Sequence, residues 1–471
     1  MIGTTSRQSG LFYAPLAAQA SLLKDDLLEP IDALLDDPQL VDLVRSRLRT
    51  RAPASASRGR RGIAPDRLLR CCVLKHVKGW SFRELERELR MNLVYRSFTR
   101  FDDDPTPDYS TLSRTFAVLG SDGTEQIHAR VVAKAREEQV AKGRRLRTDT
   151  TVVETNIHHP TDSTLLADGV RVLTRSLRRV ADECRRGTVK VVDHARSVKW
   201  RVLEIHRAAR SFTEASREKL EESYGKLVAI TQSVARQAAR VLDGAQRGSL
   251  RVIGDARRVL AEQHHLEHFL PLVQRVIAQT QARVFGGNRY TRDKVLSLFE
   301  SHSQVIRKGK AHKPTEFGRL VRIDEVENGI VSHYDVVAGN AADTQAWGPA
   351  LLRHREHFGQ APRLATADRG FFSGANERDA REMGVVRVAL PASGRLSQAR
   401  LKLQRTRWFK RALRWRAGIE ARIGTLKHPF SMVRARYQNE PGFKRYVGWC
   451  VISHNLVSIA RNLARRKAHG R

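Results

Sequence analysis

Three carboxylates stand out by the residues around them: Asp149 in "RLRTDTTVVETNIHH", Asp368 in "RLATADRGFF" and Glu420 in "RWRAGIEARIGTLK". Around Asp149, Leu146, Thr148, Thr150 and Val152 alternate with Arg147, Asp149, Thr151 and Val153. That is the period of a strand. Aspartate is disfavoured in strands, so Asp149 needs a reason to be there. Asp368 ends a short apolar run of buried-strand type. Glu420 is the one acid among eleven Lys or Arg in residues 393–427. Carboxylates are hard oxygen ligands of the kind magnesium takes. Three of them from separate elements could hold two Mg2+ ions about 3.5 to 4 Å apart, an arrangement that stabilises both the attacking and the leaving oxygen of a phosphodiester. The basic side chains around Glu420 would then face phosphates and keep the acid ionised. On a helix, Arg416, Glu420 and Lys427 fall at i, i+4 and i+11, on one face. This offers one metal ligand flanked by two phosphate-binding cations. Alone, Arg416 and Glu420 would read as an ordinary i,i+4 ion pair; with Asp149 and Asp368 in compatible elements, metal-dependent catalysis is the preferred reading.

Distant acids meet only if the fold gathers them. The first strand is expected around 145–153. A β-rich hairpin turns at Asn328-Gly329 within 317–339, a strong hairpin signal. A helix follows at 344–358 with Asp343 as its N-cap, then a strand ending at Asp368, a short helix, a strand at 385–391, and helix from about 405 to the end. This is the element order of an RNase H-like α/β core, whose sites form at the carboxyl edge of the sheet. Residues 165–300 carry apolar stripes at threes and fours, such as Leu220, Tyr224, Leu227, Ile230, Val234, Ala238 and Val241. They predict long helices packed on one another, inserted after the first strand. Residues 20–48 read as helix interrupted at Pro30, and 49–65 as a linker. "SFRELERELRMN" opens with a capping box, Ser81 and Glu84. The expected domains are a helical N-terminal domain at 1–135, a catalytic core at 144–165 and 299–465, and the helical insertion at 166–298.

Lys plus Arg number 85 and Asp plus Glu 50, a formal charge of +35. A chain this basic meets a polyanion, most often nucleic acid. Short basic helices at 66–119, led by "RGRRG", suit a helix-turn-helix type reader of double-stranded DNA, with Arg60 and Arg61 on phosphates. Four cysteines with no CxxC pair suggest neither a zinc site nor a disulfide framework and fit a reducing, cytoplasmic setting. The run at 11–23 resembles a signal h-region but holds Pro15 and Gln19, so no leader is expected. No apolar run is long enough to span a membrane. His158 and His159 lack the further ligands a zinc site needs. His158, Glu154 and Asp343 are candidate outer groups that orient the metal-holding acids. Asp324 and Asp335, in the hairpin, are expected to be solvated.

With these residues in view, the chain resembles a bacterial insertion-sequence transposase of the DDE class, over nearly all of its length. "PDRLLRCCVLKHVKGWSFRELERELRMNLVYRSFTRF" resembles the N-terminal domain of such proteins. "LRTDTTVVETNIHHPTDSTLLADGVRVLTRSLRR" resembles the block of their first Asp, "TADRGFFS" that of the second, and "RAGIEARIGTLK" that of the Glu. Related families use a Tyr, Arg, Glu, Lys signature. Arg416, Glu420 and Lys427 keep its last three members, and Leu413 stands at the Tyr position. The helical insertion directly after the first strand also departs from better-known relatives, which insert later. The resemblance implies that the protein binds terminal inverted repeats and frees a 3′ hydroxyl by hydrolysis. It then joins that hydroxyl to target DNA, with Mg2+ as cofactor, Mn2+ as a partial substitute and no covalent protein–DNA intermediate. It also implies a homodimer or larger assembly on DNA, near the bacterial nucleoid. A metal-dependent nuclease of the same fold and a non-catalytic DNA-binding regulator are the alternatives.

Overall fold

The computed structural model describes residues 1–4, 25–51, 61–288, 294–307, 314–339 and 341–469. The run 11–23, Arg60 and most of the 49–65 linker lie outside the described residues. The described chain divides into two units, 1–156 with 308–471 and 157–307.

The first unit opens with α1 (Leu28–Leu35) and α2 (Pro38–Arg49). Asp37 caps α2 through the Gln39 N–H, and Pro38 occupies the first helical position, where its missing N–H costs nothing. The break expected at Pro30 therefore falls at 36–37. Pro30 itself sits in the first turn of α1. Next come α3 (Pro65–Val77), α4 (Phe82–Met91), α5 (Leu93–Phe98), α6 (Tyr109–Ala117) and α7 (Gly120–Glu137). The Ser81–Glu84 capping box that starts α4 is formed in both directions, at 3.2 and 2.7 Å.

The strands are β1 (Arg145–Glu154), β2 (Gln304–Ile306), β3 (Glu316–Glu325), β4 (Val331–Val336), β5 (Leu364–Ala367) and β6 (Arg387–Ala389). Between them lie the insertion helices α8 (Asp162–Glu183), α9 (Ala195–Ala208), α10 (Glu214–Gln246) and α11 (Ala256–Val284). After the hairpin follow α12 (Asp343–Phe358), α13 (Gly374–Glu382), α14 (Gln398–Arg405), α15 (Arg407–Lys427) and α16 (Asn439–His469).

Within the first unit the sheet runs β4, β3, β1, β5, β6. β3 and β4 form the antiparallel hairpin, turning through Asn328 (φ 57°) and Gly329 (φ 77°). A side chain at Gly329 would meet the Arg422 guanidinium as well as the left-handed backbone. β1 is antiparallel to β3 and parallel to β5, which is parallel to β6. The two faces are covered by different helices. Thr148 and Thr150, with Asp324 and Arg322 opposite them, face α12, where Arg322 reaches the Ala346 carbonyl. Arg147 and Glu325 face α15, where Arg147 donates to the Trp415 carbonyl and Arg422 to Glu325.

α16 is buried all round from Tyr446 to Val457, as a core helix is, although Ser453, His454 and Asn455 lie within that run. It packs against α7, α3 and α1. Leu69, Leu74, Phe116, Trp449 and Cys450 thus belong to one buried cluster that also reaches Leu146 and Val321 of the sheet. Among the described residues no helix is long and apolar enough to cross a membrane.

The second unit packs α8, α9, α10 and α11 around Leu166, Leu173, Leu177, Leu227, Ala238, Leu266 and Val273. The stripe from Leu220 to Val241 is core: Tyr224, Leu227, Val234, Ala238 and Val241 are buried, and Leu220 and Ile230 pack against them.

Candidate active site

β1 is a central strand, flanked on both edges and covered on both faces. After the exposed Arg145, every residue to Glu154 is buried except Asp149. The cover thins at Asp149, which is half-buried, while the strand's other acid, Glu154, is buried. The Asp149 carboxylate accepts the Thr150 N–H at 2.7 Å.

Asp368 follows β5 directly. The last β1–β5 pair is Thr148 with Ala367, and one more step of the same parallel register sets Asp368 beside Asp149. The Asp368 backbone is still extended (φ −74°, ψ −179°). Neighbouring strands lie roughly 4.8 Å apart, and residues in register share a face, so these two acids meet at the carboxyl edge of the sheet. Asp368 Oδ1 also accepts the Gly370 N–H at 2.9 Å, capping the short 3-10 turn Arg369–Phe371.

Asp343 comes to the same edge from the opposite face. The expected cap of α12, it is instead the first helical residue, and Ala342 precedes it as the cap. Its Oδ1 accepts the hydroxyl of Thr150, the neighbour of Asp149, at 2.8 Å. A Cβ built on Gly370 would stand 3.0 Å from Asp343 Oδ2 and 3.1 Å from Asp368 Oδ1. Both oxygens thus lie about 3 Å from one point, and no more than about 6 Å from each other. Gly370→Ala should therefore displace one carboxylate or both. The expected outcome is a loss of DNA cleavage of about tenfold with little change in melting temperature, since the carboxylates must give way by only part of the 1 Å misplacement that can cost about a hundredfold. Cleavage and thermal melts on the same preparation check this.

Glu420 is carried by α15, which lies across β1, β5 and β6. Phe409, Ala412, Ile419 and Leu426 form its buried side. Arg147 anchors the crossing: its guanidinium stacks over the Trp415 ring at 4.9 Å, in space left by Gly418. Glu420 is one residue past the buried Ile419, about 100° further round the helix and at the rim of the helix–sheet contact. Its carboxylate is 70% exposed and accepts from Arg416 at 3.3 Å, while Arg416 is mostly covered, at 19%. Lys427 ends α15 and is partly buried. The structure thus sets Asp149 and Asp368 each one step past the last β1–β5 pair, brings Asp343 near Asp368, and leaves Glu420 in the i,i+4 ion pair. Among the described residues no three His, Cys, Asp or Glu side chains stand close enough together to hold a metal ion.

Other candidates are placed as follows. Glu154 pairs with Arg434 at 2.8 Å where the end of β1 bridges to residue 434. His158 is exposed and belongs to the second unit. Arg61 is exposed. Asp324, expected to be solvated, is buried at 1% exposure because β3 is covered by α12. Burial pushes its carboxyl up, against the lowering effect of Arg322 at 3.1 Å and of Thr148 at 2.9 Å. Sequence reasoning missed the ionic clasp under the site. Glu325, fully buried, is held by Arg147 at 2.6 and 2.9 Å and by Arg422 at 3.2 Å, tying β1, β3 and α15 together. The signal was there in Arg147, a second charge on the same strand face as Asp149.

Residues 17–117 match the family model described as Transposase domain (DUF772), and residues 301–456 match the one described as Transposase DDE domain. The second match spans Asp368 and Glu420, and Asp149 precedes it. A search of the curated proteins and a search of the solved structures each found no match.

Proposed function

This chain belongs to the DDE transposases of insertion sequences, and from that premise we propose that it cuts DNA at the ends of its element and joins the freed 3′ hydroxyl to target DNA, on a site built from Asp149, Asp368 and Glu420. The observation that supports this reading is the half-burial of Asp149 in an otherwise buried central strand, with Asp368 one step past the last residue that pairs with that strand from β5. The strand order, with β1 at the centre of the sheet between the hairpin and β5, supports an RNase H-like core.

DDE transposases use divalent metal ions, and the donor set here is all carboxylate oxygen, which suits Mg2+. Asp149 and Asp368 would be two of the holders, and the exposed Glu420 would complete the set by giving up its partner Arg416. When bound, the ions supply charge stabilisation to the attacking and leaving oxygens. The rest falls to the chain. Arg416, released from Glu420, takes a phosphate oxygen, and Lys427 a second. Asp343 holds the Thr150 hydroxyl and flanks Asp368, keeping both aspartates in position. In the first step water oxygen bonds to phosphorus, the P–O3′ bond breaks, and the proton lost by water is balanced by the one the 3′ oxygen gains. In the second step that 3′ oxygen bonds to a target phosphorus as a target P–O3′ bond breaks.

End recognition is assigned to the N-terminal helices. On α4 the outward positions Arg83, Arg87 and Arg90 repeat at i, i+4 and i+7, and Arg61 is exposed ahead of α3. Two ends have to be held together, so a dimer or larger assembly on DNA is part of the reading.

The test is a joining assay with a labelled, pre-cut end and a plasmid target in magnesium. A covalently joined product is expected. Cutting of an uncut end without any joining would leave a nuclease, and binding without either reaction would leave a regulator.

A further inference from the structure

From Met383 to Ile419 the chain carries no acidic residue. Within that stretch, Arg407, Lys410, Arg411 and Arg414 fall at i, i+3, i+4 and i+7 of α15, which puts them on one face. It is the face turned away from the buried Phe409, Ala412 and Ile419, and all four are exposed. Lys402 and Arg405 of the adjoining α14 are exposed as well. None of the six makes an ion pair with a described residue. Arg400 differs, being held by Glu377 at 2.6 Å. Six such cations side by side repel one another, and the folded chain gains nothing from bringing them together. They complement a surface with closely spaced negative charge.

We propose that the outward face of α15, together with α14, is the seat of the target duplex, held through its phosphates without regard to sequence. This rests on the joining reaction proposed above. The stripe from 407 to 414 is about 10 Å long at 1.5 Å per residue, long enough to meet several charges of a duplex that carries one per about 1.7 Å of axis. Unpaired strands need aromatic faces on which to stack, and here these are covered: Trp415 lies under Arg147, and Trp408 is partly buried with the Arg387 guanidinium 5.5 Å from its ring. A duplex is the better fit. α15 is also sunk onto the sheet along its buried side, so it offers a low crest of flexible cations to the backbone and cannot seat a recognition helix in a groove. Binding that is blind to sequence suits the target, whose sequence the element does not carry. Glu420 lies on the same helix, about 9 Å of axial rise beyond Arg414, so a duplex lying along α15 would run toward the acids.

The experiment uses the full chain carrying Arg407→Gln, Lys410→Gln, Arg411→Gln and Arg414→Gln together, with a pre-cut labelled end and a supercoiled plasmid of unrelated sequence. Joining is expected to fall at least tenfold at physiological salt and to recover as plasmid concentration rises. Cleavage of an uncut end and affinity for that end should stay within twofold of wild type. The slope of log joining rate against log salt should shrink by about three to four, close to one for each phosphate the variant no longer neutralises. Equal losses of cleavage and joining would assign the stripe to the element's own ends and overturn the proposal; unchanged joining would overturn it too. Wild-type protein that cuts ends but joins none would bring down the transposition reading, and this one with it. Should the fourfold variant lose its melting transition, the two pairs 407/410 and 411/414, each substituted alone, carry the same comparison.

Discussion

Protein carrying Asp149→Asn, Asp368→Asn or Glu420→Gln is expected to bind the element's ends as wild type does and to cut them at least about a thousandfold more slowly, a loss of about 4 kcal/mol in transition-state stabilisation. Each change replaces one carboxylate oxygen by an amide nitrogen of the same shape. At Asp149 the remaining oxygen can still accept the Thr150 N–H, and at Asp368 that of Gly370. Folding should therefore be little affected, and the loss reports on chemistry. The three acids share the task of holding metal, so a double substitution should cost scarcely more than a single one. Manganese should replace magnesium in part. Calcium should support binding with little cutting, since its larger, looser shell positions the reacting oxygens poorly. Glu420 is the sharpest test of the three. The structure shows it in a surface ion pair with Arg416, so its role depends on exchanging that partner. Near-normal cutting in magnesium by folded Glu420→Gln protein would leave it as that ion pair and nothing more.

What can be read from the sequence is what local pattern encodes. The alternation around Asp149 marks a strand, the Asn328-Gly329 pair marks a hairpin, and the apolar run before Asp368 marks a second strand; the structure has all three. Their meeting depends on a parallel pairing across 219 residues, which no local signal specifies. The order of elements implies it, and the β1–β5 register supplies it. The departures have one cause: tertiary partners override a residue's local role. Asp343 reads as a helix cap, yet Thr150 claims its carboxylate. Asp324 reads as a solvated hairpin residue, yet α12 covers it and Arg322 partners it. The basic run near Glu420 reads as a single phosphate surface. The helix divides it into Arg416 beside the acid, Arg422 bound to buried Glu325, and the outward stripe.

Stability should collapse on mild acidification, well above the pH at which carboxylates protonate. Five histidines of the first unit, His76, His128, His333, His354 and His454, are buried at 1 to 6% exposure. Burial is the main cause that holds each neutral. It brings His128 to about 3, with His357 nearby adding to the effect. It brings His333 to about 2, with Arg322 adding to it, and His454 to about 3, with Arg422 adding. It brings His354 to about 4, where the bond to the Gly143 carbonyl works against burial by favouring the charged ring. In the unfolded chain each titrates near 6.5. Above that pH both states are neutral and the histidines make no difference. Below it the unfolded state takes up protons that the folded state refuses, so stability falls by about 1.4 kcal/mol per pH unit for each group, down to its folded value. At pH 5.5 the five together remove about 7 kcal/mol, a large share of the roughly 5 to 15 kcal/mol that holds a domain. Asp36 and Asp37 do not blur this window. Burial raises their carboxyls, but Arg100 and Arg130 outweigh it and hold both below the usual range, so their contribution is lost only at lower pH. Asp324, pushed up by burial, works in the opposite sense and slightly lessens the loss. Thermal melts of the intact chain should show the transition dropping by about 10 °C between pH 7.5 and 5.5. His333→Gln, which cannot titrate, should recover about a fifth of that drop. A melting temperature that stays level across the window would mean that these rings take up protons in the folded state as readily as in the unfolded one.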